Sequence, residues 1–331
     1  MTGAPIPVLR RFIALAAIGS ALCAAAGVTA HFLGPVSTTV TLFASFTPLF
    51  VLLAAVSAIV LVAVRFRLAA AVALLIVAVG AAAQMPIFVG APTAASAGAL
   101  TIRLLQANIR LGQADPQSLV DTVRADKVDL LTVAELTPDA VDRLAAAGMT
   151  QSLPFAYLRP REGGGGEGIY SRYPLGDTAE LPGLRHANLR AVVAVPGAGP
   201  IAVYALHPLP PYPEPAWRWA LELDRIGAYL AAEQRPLLVG ADFNSTYDHE
   251  RYRNLLREGG RDGAALIDAA VQLGKGIVAT YPADRWFPAV LAIDKILSRG
   301  PVPLSLSRVD LPGSDHYGVL AELELSSAGR R

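Results

Sequence analysis

Acidic residues are missing from the first hundred positions. No Asp, Glu or Lys precedes Thr101, and Arg10, Arg11, Arg65 and Arg67 are the only basic residues there. Charged residues make up 17% of the 331-residue chain, against about 25% in ordinary soluble domains, so part of the chain is built for a non-aqueous setting. Cysteine is nearly absent. The single Cys23 excludes an intrachain disulfide and a cysteine-rich structural zinc site, and with no lipobox before it, it reads as a small apolar packing residue. Basic excess is also lacking where a nucleic-acid backbone would need it. Behind Thr101 the remaining 24 Lys+Arg face 27 Asp+Glu, a net charge of −3, without the basic stripe that phosphate-backbone binding uses. The Gly163–Gly166 run has no Gly-Lys-Ser/Thr after it, which excludes a P-loop and leaves a loop beside a site.

Three apolar runs fill the acid-free part, roughly 12–33, 42–64 and 68–89. Each meets the length of about 20 residues that a helix needs to cross a hydrocarbon core. Buried soluble helices are the alternative, but no flanking amphipathic elements are present to cover them. Arginines before the first run and between the second and third place the N-terminus in the cytoplasm and everything after the third run outside. A cleaved signal peptide ending near Ala30 is weighed against this; the apolar stretch is long for one, and two further runs follow. The expected organisation is a membrane anchor over 1–89, a linker over 90–100, a catalytic domain over 101–325 and a tail over 326–331.

Behind the linker, strand-like and helix-like patterns alternate. Strands are expected at 103–107, 128–134, 168–171, 189–195, 201–206, 236–240, 290–297 and 317–325. Helices are expected at 116–125, 138–147, 215–232 and 249–257, several opening on Pro or following Asp. Strand-like runs adjoin polar groups: Asn108, Glu135, His207, Asp242 with Asn244, Asp294, and Ser314-Asp315-His316. Taken singly, each has a bland explanation, such as turn chemistry for Asn and Asp. Asp294 is harder to dismiss, since it interrupts an apolar stretch and a buried carboxylate must be paired.

Their order, Asn, Glu, His, Asp-x-Asn, Asp, then Ser-Asp-His, resembles the endonuclease/exonuclease/phosphatase superfamily, and the likeness covers nearly all of 101–325. Framing segments agree: Gly168-Ile169-Tyr170-Ser171-Arg172-Tyr173-Pro174-Leu175, the Trp217/Arg218 helix, and Thr280-Tyr281-Pro282. The resemblance implies a DNase I-like α/β four-layer sandwich, two packed mixed β-sheets flanked by helices, preceded here by three transmembrane helices. It implies a membrane-anchored, divalent-metal-dependent phosphoester hydrolase. Mg²⁺, with Mn²⁺ as a substitute, is expected at Glu135, supported by Asn108 and Asp315. Asp242 would position or deprotonate the attacking water, Asn244 would hold the phosphate or that carboxylate, and Asp294 would orient His316. His207 would stabilise developing charge or protonate the leaving oxygen; which group is the base stays open. Phospholipid head groups, nucleotides and nucleic acid are the open substrate classes, and no obligate protein partner is implied. A binding module without strong catalysis is the competing reading.

Two departures stand out. Ala241 precedes Asp242 where the family has Gly, which is tolerable unless that position needs a positive φ. Leu136 follows Glu135, unlike the Lys of some repair nucleases in the group. His186 and His249 fall outside the motif blocks and are expected on the surface. Trp286 and Phe287 are expected as an apolar lip or as core. Arg159, Arg161 and Arg172 are a candidate basic patch, and Ser171 and Ser314 lack a nucleophile elbow.

Overall fold

A computed structural model of the chain describes residues 8–96, 98–260 and 265–325; the expected tail, 326–331, lies outside them. The chain divides into two compact units, one comprising 1–86 with 248–250, the other 87–247 with 251–331.

The first unit is helical: α1 (Val8–Ala30), α2 (Thr38–Ser45), α3 (Thr47–Ala63) and α4 (Arg67–Phe88). Helices α1 and α4 are each long and apolar enough to cross a membrane. The second apolar run is not one straight span, because α2 and α3 meet at 71° and count as a third span only together. The break has a chemical cause. Pro48 lies in the first turn of α3, and its missing N–H and its ring prevent a helix from running through that point. Small side chains, Ala14, Ala17, Ala21, Ala58, Ala70 and Ala73, pack with Leu61 in the interior, which lets backbones approach closely. Leu15, Leu22, Leu52, Ile59 and Leu75 face outward. Within this unit His31 Nδ1 lies 2.8 Å from Asp248 Oδ1, and His249 Nε2 lies 3.0 Å from the Thr41 carbonyl. His249 is therefore buried, not a surface residue.

The second unit contains β1 (Leu100–Asn108), α5 (Pro116–Ala125), β2 (Leu130–Ala134), α6 (Pro138–Ala147), α7 (Met149–Ser152), β3 (Phe155–Arg159), β4 (Glu167–Ser171) and β5 (Leu175–Glu180). After these come β6 (Leu189–Ala194), β7 (Pro200–Leu206), α8 (Ala216–Ala232), β8 (Leu237–Asp242) and α9 (Glu250–Glu258). The last elements are β9 (Ile267–Asp268), α10 (Ala269–Gln272), β10 (Asp294–Arg299), β11 (Val302–Val309) and β12 (Gly318–Leu325). They build two six-stranded mixed sheets, ordered β11-β12-β1-β2-β4-β3 and β5-β6-β7-β8-β10-β9.

Strand alternation decides the layering. Along β1, Ile102 and Leu104 enter the core between the sheets with Val203, Leu238 and Ile296. Leu105 and Ala107 face outward and pack with Leu119 and Val123 of α5 and Leu144 of α6. On the other sheet, Val239 and Ala241 face outward against Trp219, Leu223 and Ile226 of α8 and Tyr252 of α9. The result is the expected four-layer sandwich, helices on sheet on sheet on helices. At one point the sheets come especially close: a Cβ on Gly240 would lie 2.0 Å from Thr132 Oγ1. Glycine is thus required one place before Ala241, whose own side chain has room in the outer layer.

Residues 90–96 are not a free tether. Ala91 N donates to the Gln272 carbonyl and Ser96 N donates to Glu324, so the expected linker is laid along the second unit. Expected strands and helices fall close to their observed positions, but 290–293 forms only an isolated bridge at Leu291, and β10 begins at Asp294.

Candidate active site

Strand direction gathers the polar residues. Pairs β1/β2 and β7/β8 are parallel, whereas β4, β10 and β12 run antiparallel to β2, β8 and β1. The C-terminal ends of β1, β2, β7 and β8 therefore share a rim with the N-terminal ends of β4, β10 and β12. That rim carries Asn108, Glu135, His207, Asp242, Glu167, Asp294 and the Ser314–His316 turn.

Asp242 is at the centre, 1% exposed. Its Oδ1 accepts from Asn244 N at 2.9 Å, and its Oδ2 accepts from Asn108 Nδ2 at 3.0 Å. Two imidazoles flank that Oδ2: His207 Nε2 at 3.7 Å and His316 Nε2 at 3.9 Å. Burial alone would raise the Asp242 pKa. The facing His316 and His207, with the bonds from Asn244 N and Asn108, hold it below the usual carboxylate value instead, so the group is an anion.

Each histidine has a carboxylate behind it. His316 Nδ1 lies 2.8 Å from Asp294 Oδ2. Burial opposes its protonation, but Asp294, that hydrogen bond, Asp242 and Asp315 push its pKa up to about 10, making it a cation at neutral pH. His207 Nδ1 lies 3.6 Å from Oε1 of Glu167, which is 1% exposed. Neither Glu167 oxygen nor His207 Nδ1 has a hydrogen-bond partner among the described residues. Burial, then Asp242 and Glu135, raises the Glu167 pKa well above its ordinary value.

Glu167 is not among the residues that the sequence pattern points to. The apolar run there opens at Gly168, which conceals that the preceding residue, like Asp294, is a carboxylate at a strand's rim end. His186 is a second addition. It is half-buried, not a free surface residue: its ring lies 4.6 Å from that of His207, and its Nδ1 is 3.1 Å from the His207 carbonyl.

Asn108 and Glu135 sit together, Asn108 Nδ2 donating to Glu135 Oε1 at 3.0 Å, with Leu111 N donating to Oε2 at 2.8 Å. Glu135 is held at a positive φ of 62°, the kind of uncommon backbone conformation that clusters at functional sites. Ser314 Oγ donates to the Asn108 carbonyl at 2.8 Å, hanging the turn that bears Asp315 beside β1. Asp315 lies 3.9 Å from Arg110 Nε, and Arg110 Nη1 lies 3.0 Å from Asp284. Glu135 and Asp315 offer carboxylate oxygens, which fit a hard cation such as Mg²⁺, whereas Asn108 turns its Nδ2 to Glu135 and Asp242 and its Oδ1 accepts from Arg110 N at 2.9 Å. A tighter group is Asp242, Asp294 and His316, whose donor atoms all lie within 4.8 Å of one another. Its closeness is that of a hydrogen-bonded pair. His316 Nδ1 is engaged by Asp294, and its Nε2 faces Asp242 Oδ2 at 3.9 Å.

Asn244, at φ 50°, directs its Nδ2 to the Pro208 carbonyl at 3.1 Å, beside His207. Gly164 and Gly165 lie against Glu135 and His186 respectively, so the glycine run borders the site. Trp286 is 96% exposed and stacks edge-on with Phe287, a lip rather than core. The basic patch does not assemble. Arg159 and Arg161 pair with Glu180, whereas Arg172 binds Asp129 at the opposite end of β4. Ser171 bonds the Tyr173 carbonyl there, also away from the rim.

A family model described as Endonuclease/Exonuclease/phosphatase family matches residues 105–316. The fold is similar to that of humanized D. rerio TDP2 carrying 14 mutations, with TM-score 0.54 and 16% identity over 68% of this chain and 99% of that one. D. rerio TDP2 complexed with single strand DNA product matches with TM-score 0.53 and 17% identity, over 68% and 99% of the two chains. An endonuclease/exonuclease/phosphatase from Bacteroides vulgatus gives TM-score 0.54 and 17% identity, over 69% and 100%. At these identities the likeness is one of fold. No curated protein matches the chain.

Proposed function

We propose that this chain, which belongs to the endonuclease/exonuclease/phosphatase family, is a membrane-anchored, divalent-metal-dependent phosphodiester hydrolase. One observation carries the reading: a buried anionic Asp242 whose Oδ2 is flanked by the Nε2 atoms of two histidines, His316 bonded to Asp294 and His207 backed by the Glu167 carboxyl. Hydrolysis forms a bond from water oxygen to phosphorus and breaks the bond from phosphorus to the leaving oxygen. One proton must leave the water and another must reach the alkoxide.

Asp242 orients the attacking water and accepts its proton. Asn108 and Asn244 N, which donate to the two Asp242 oxygens, fix its carboxylate for this. Cationic His316, held by Asp294, stabilises negative charge on the phosphoryl oxygens. His207 gives the Nε2 proton of its imidazolium to the leaving oxygen, which leaves a neutral ring with Glu167 3.6 Å behind its Nδ1. Glu135 and Asp315, with Asn108 beside them, would hold Mg²⁺, or Mn²⁺ in its place, and the ion would neutralise phosphoryl charge.

The apolar helices anchor the domain, with the arginine distribution putting the N-terminus inside and the hydrolase outside. Attachment to a membrane and the absence of a basic stripe favour phospholipid head groups over nucleic acid; single-stranded DNA, the product in the TDP2 complex, is the competitor. A non-catalytic binding module would not need two histidines converging on one buried carboxylate. The test is a panel of phospholipids, nucleotides and DNA ends given to the full chain in detergent with Mg²⁺. EDTA-sensitive release of phosphate monoester from any class supports the reading, and hydrolysis that persists in EDTA contradicts it.

A further inference from the structure

His186 has no part in the chemistry above, yet it is built into the site. Asn188, fully buried, donates to the carbonyls of His186 at 3.1 Å and of His207 at 3.5 Å, and accepts from His207 N at 2.8 Å. Ala187 N donates to the Gly165 carbonyl at 2.9 Å. The segment carrying His186 is thus fixed on two sides. The ring lies 4.6 Å from His207 at an interplanar angle of 50°, and its Cδ2 edge faces Gly165.

The tautomer follows from its one bond. A carbonyl only accepts, so the Nδ1 that lies 3.1 Å from the His207 carbonyl carries the hydrogen. Burial and the neighbouring His207 lower the pKa to about 4, so the ring is neutral at physiological pH. Its Nε2 therefore bears a lone pair, and that atom has no partner among the described residues.

We propose that His186 Nε2 accepts a hydrogen bond from a hydroxyl group on the leaving alcohol, making the enzyme selective for polyol phosphodiesters. A lone pair is of no use to a phosphate oxygen, which brings no donor at neutral pH. The donor must come from the organic part of the substrate. The adjacent histidine, His207, is the one assigned to the leaving oxygen, so the group that reaches His186 is a hydroxyl near that oxygen, as in glycerol, a sugar or an inositol. The inference rests on the hydrolase reading above.

The test compares phosphocholine esters of glycerol and of 1-propanol, following phosphocholine release by the full chain in detergent with Mg²⁺. The wild type favours the glycerol ester. His186→Phe lowers kcat/KM for that ester about tenfold, the loss expected for one hydrogen bond, and lowers it for the propyl ester at most about twofold. His186→Asn, which restores an acceptor, recovers part of the preference. Equal losses on both esters, or a wild type with no glycerol preference, overturns the inference. Bis(p-nitrophenyl) phosphate separates the two levels: if the wild type fails on it as well as on both esters, the hydrolase reading itself falls.

Discussion

His316 and Asp294 touch at 2.8 Å, and a pair acting as one unit is non-additive. His316→Ala and Asp294→Ala are each expected to lower kcat by roughly 100-fold or more, with the double variant little worse than either single one. Multiplicative losses in the double variant would separate the two roles. Glu167 invites a sharper contrast. Burial raises the pKa of its carboxyl, and Gln is the neutral isostere of a protonated Glu. Glu167→Gln should keep kcat within about threefold, while Glu167→Ala should lose about tenfold or more. Equal losses would show that Glu167 acts as an anion. The motif residues themselves are legible in the sequence because each adjoins an apolar strand. Glu167 is not, since a lone Glu after four glycines carries no signal until pairing places it opposite Ala134. His186 is hidden for a similar reason, as only the Asn188 clamp brings it to His207.

Among the elements, Gly240 is the tightest joint between the sheets. Gly240→Ala would set a Cβ 2.0 Å from Thr132 Oγ1, and Thr132 is fully buried, so overpacking should cost about 1–3 kcal/mol. Thr132→Ala in the same chain should return part of the lost Tm; no recovery would place the strain elsewhere. Acid stability has its own element-level cause. Glu233, at the end of α8, accepts from Arg190 of β6 and from Arg235. Burial alone would raise its pKa, but the bonds from Arg235 and Arg190 lower it to about 2. A carboxylate lowered from 4.5 to about 2 stabilises the fold fully above pH 4.5 and loses that contribution as pH falls through 2. Glu233→Gln should therefore reduce Tm at pH 7, with the gap to wild type closing near pH 2; a gap unchanged with pH would refute the linkage. Helices α5 and α6 are legible in the sequence because Pro at their first position and the capping Asp115 and Thr137 mark their starts. Edge strands β3, β5 and β11 are not. Their residues are largely exposed or irregular, which removes the apolar period by which a strand is recognised.

The whole molecule joins an apolar helical unit to a charged α/β unit, and the change in composition near residue 101 marks that division in the sequence itself. Composition does not reveal that residues 90–96 are bonded to the second unit, nor that the middle span is broken at Pro48. Both depend on contacts or local geometry, not on hydropathy. If the arginines set orientation, a fluorescent reporter active only in the cytoplasm, fused after Arg331, should stay dark; bright signal would reverse the topology. Catalysis as proposed here depends above all on Asp242 as the anion between two histidines. The most direct test is kcat of Asp242→Asn on bis(p-nitrophenyl) phosphate with saturating Mg²⁺, alongside a thermal melt. The expected result is a loss of about 1,000-fold or more with Tm within a few degrees of wild type. Turnover within about tenfold of wild type in a folded Asp242→Asn chain would contradict it.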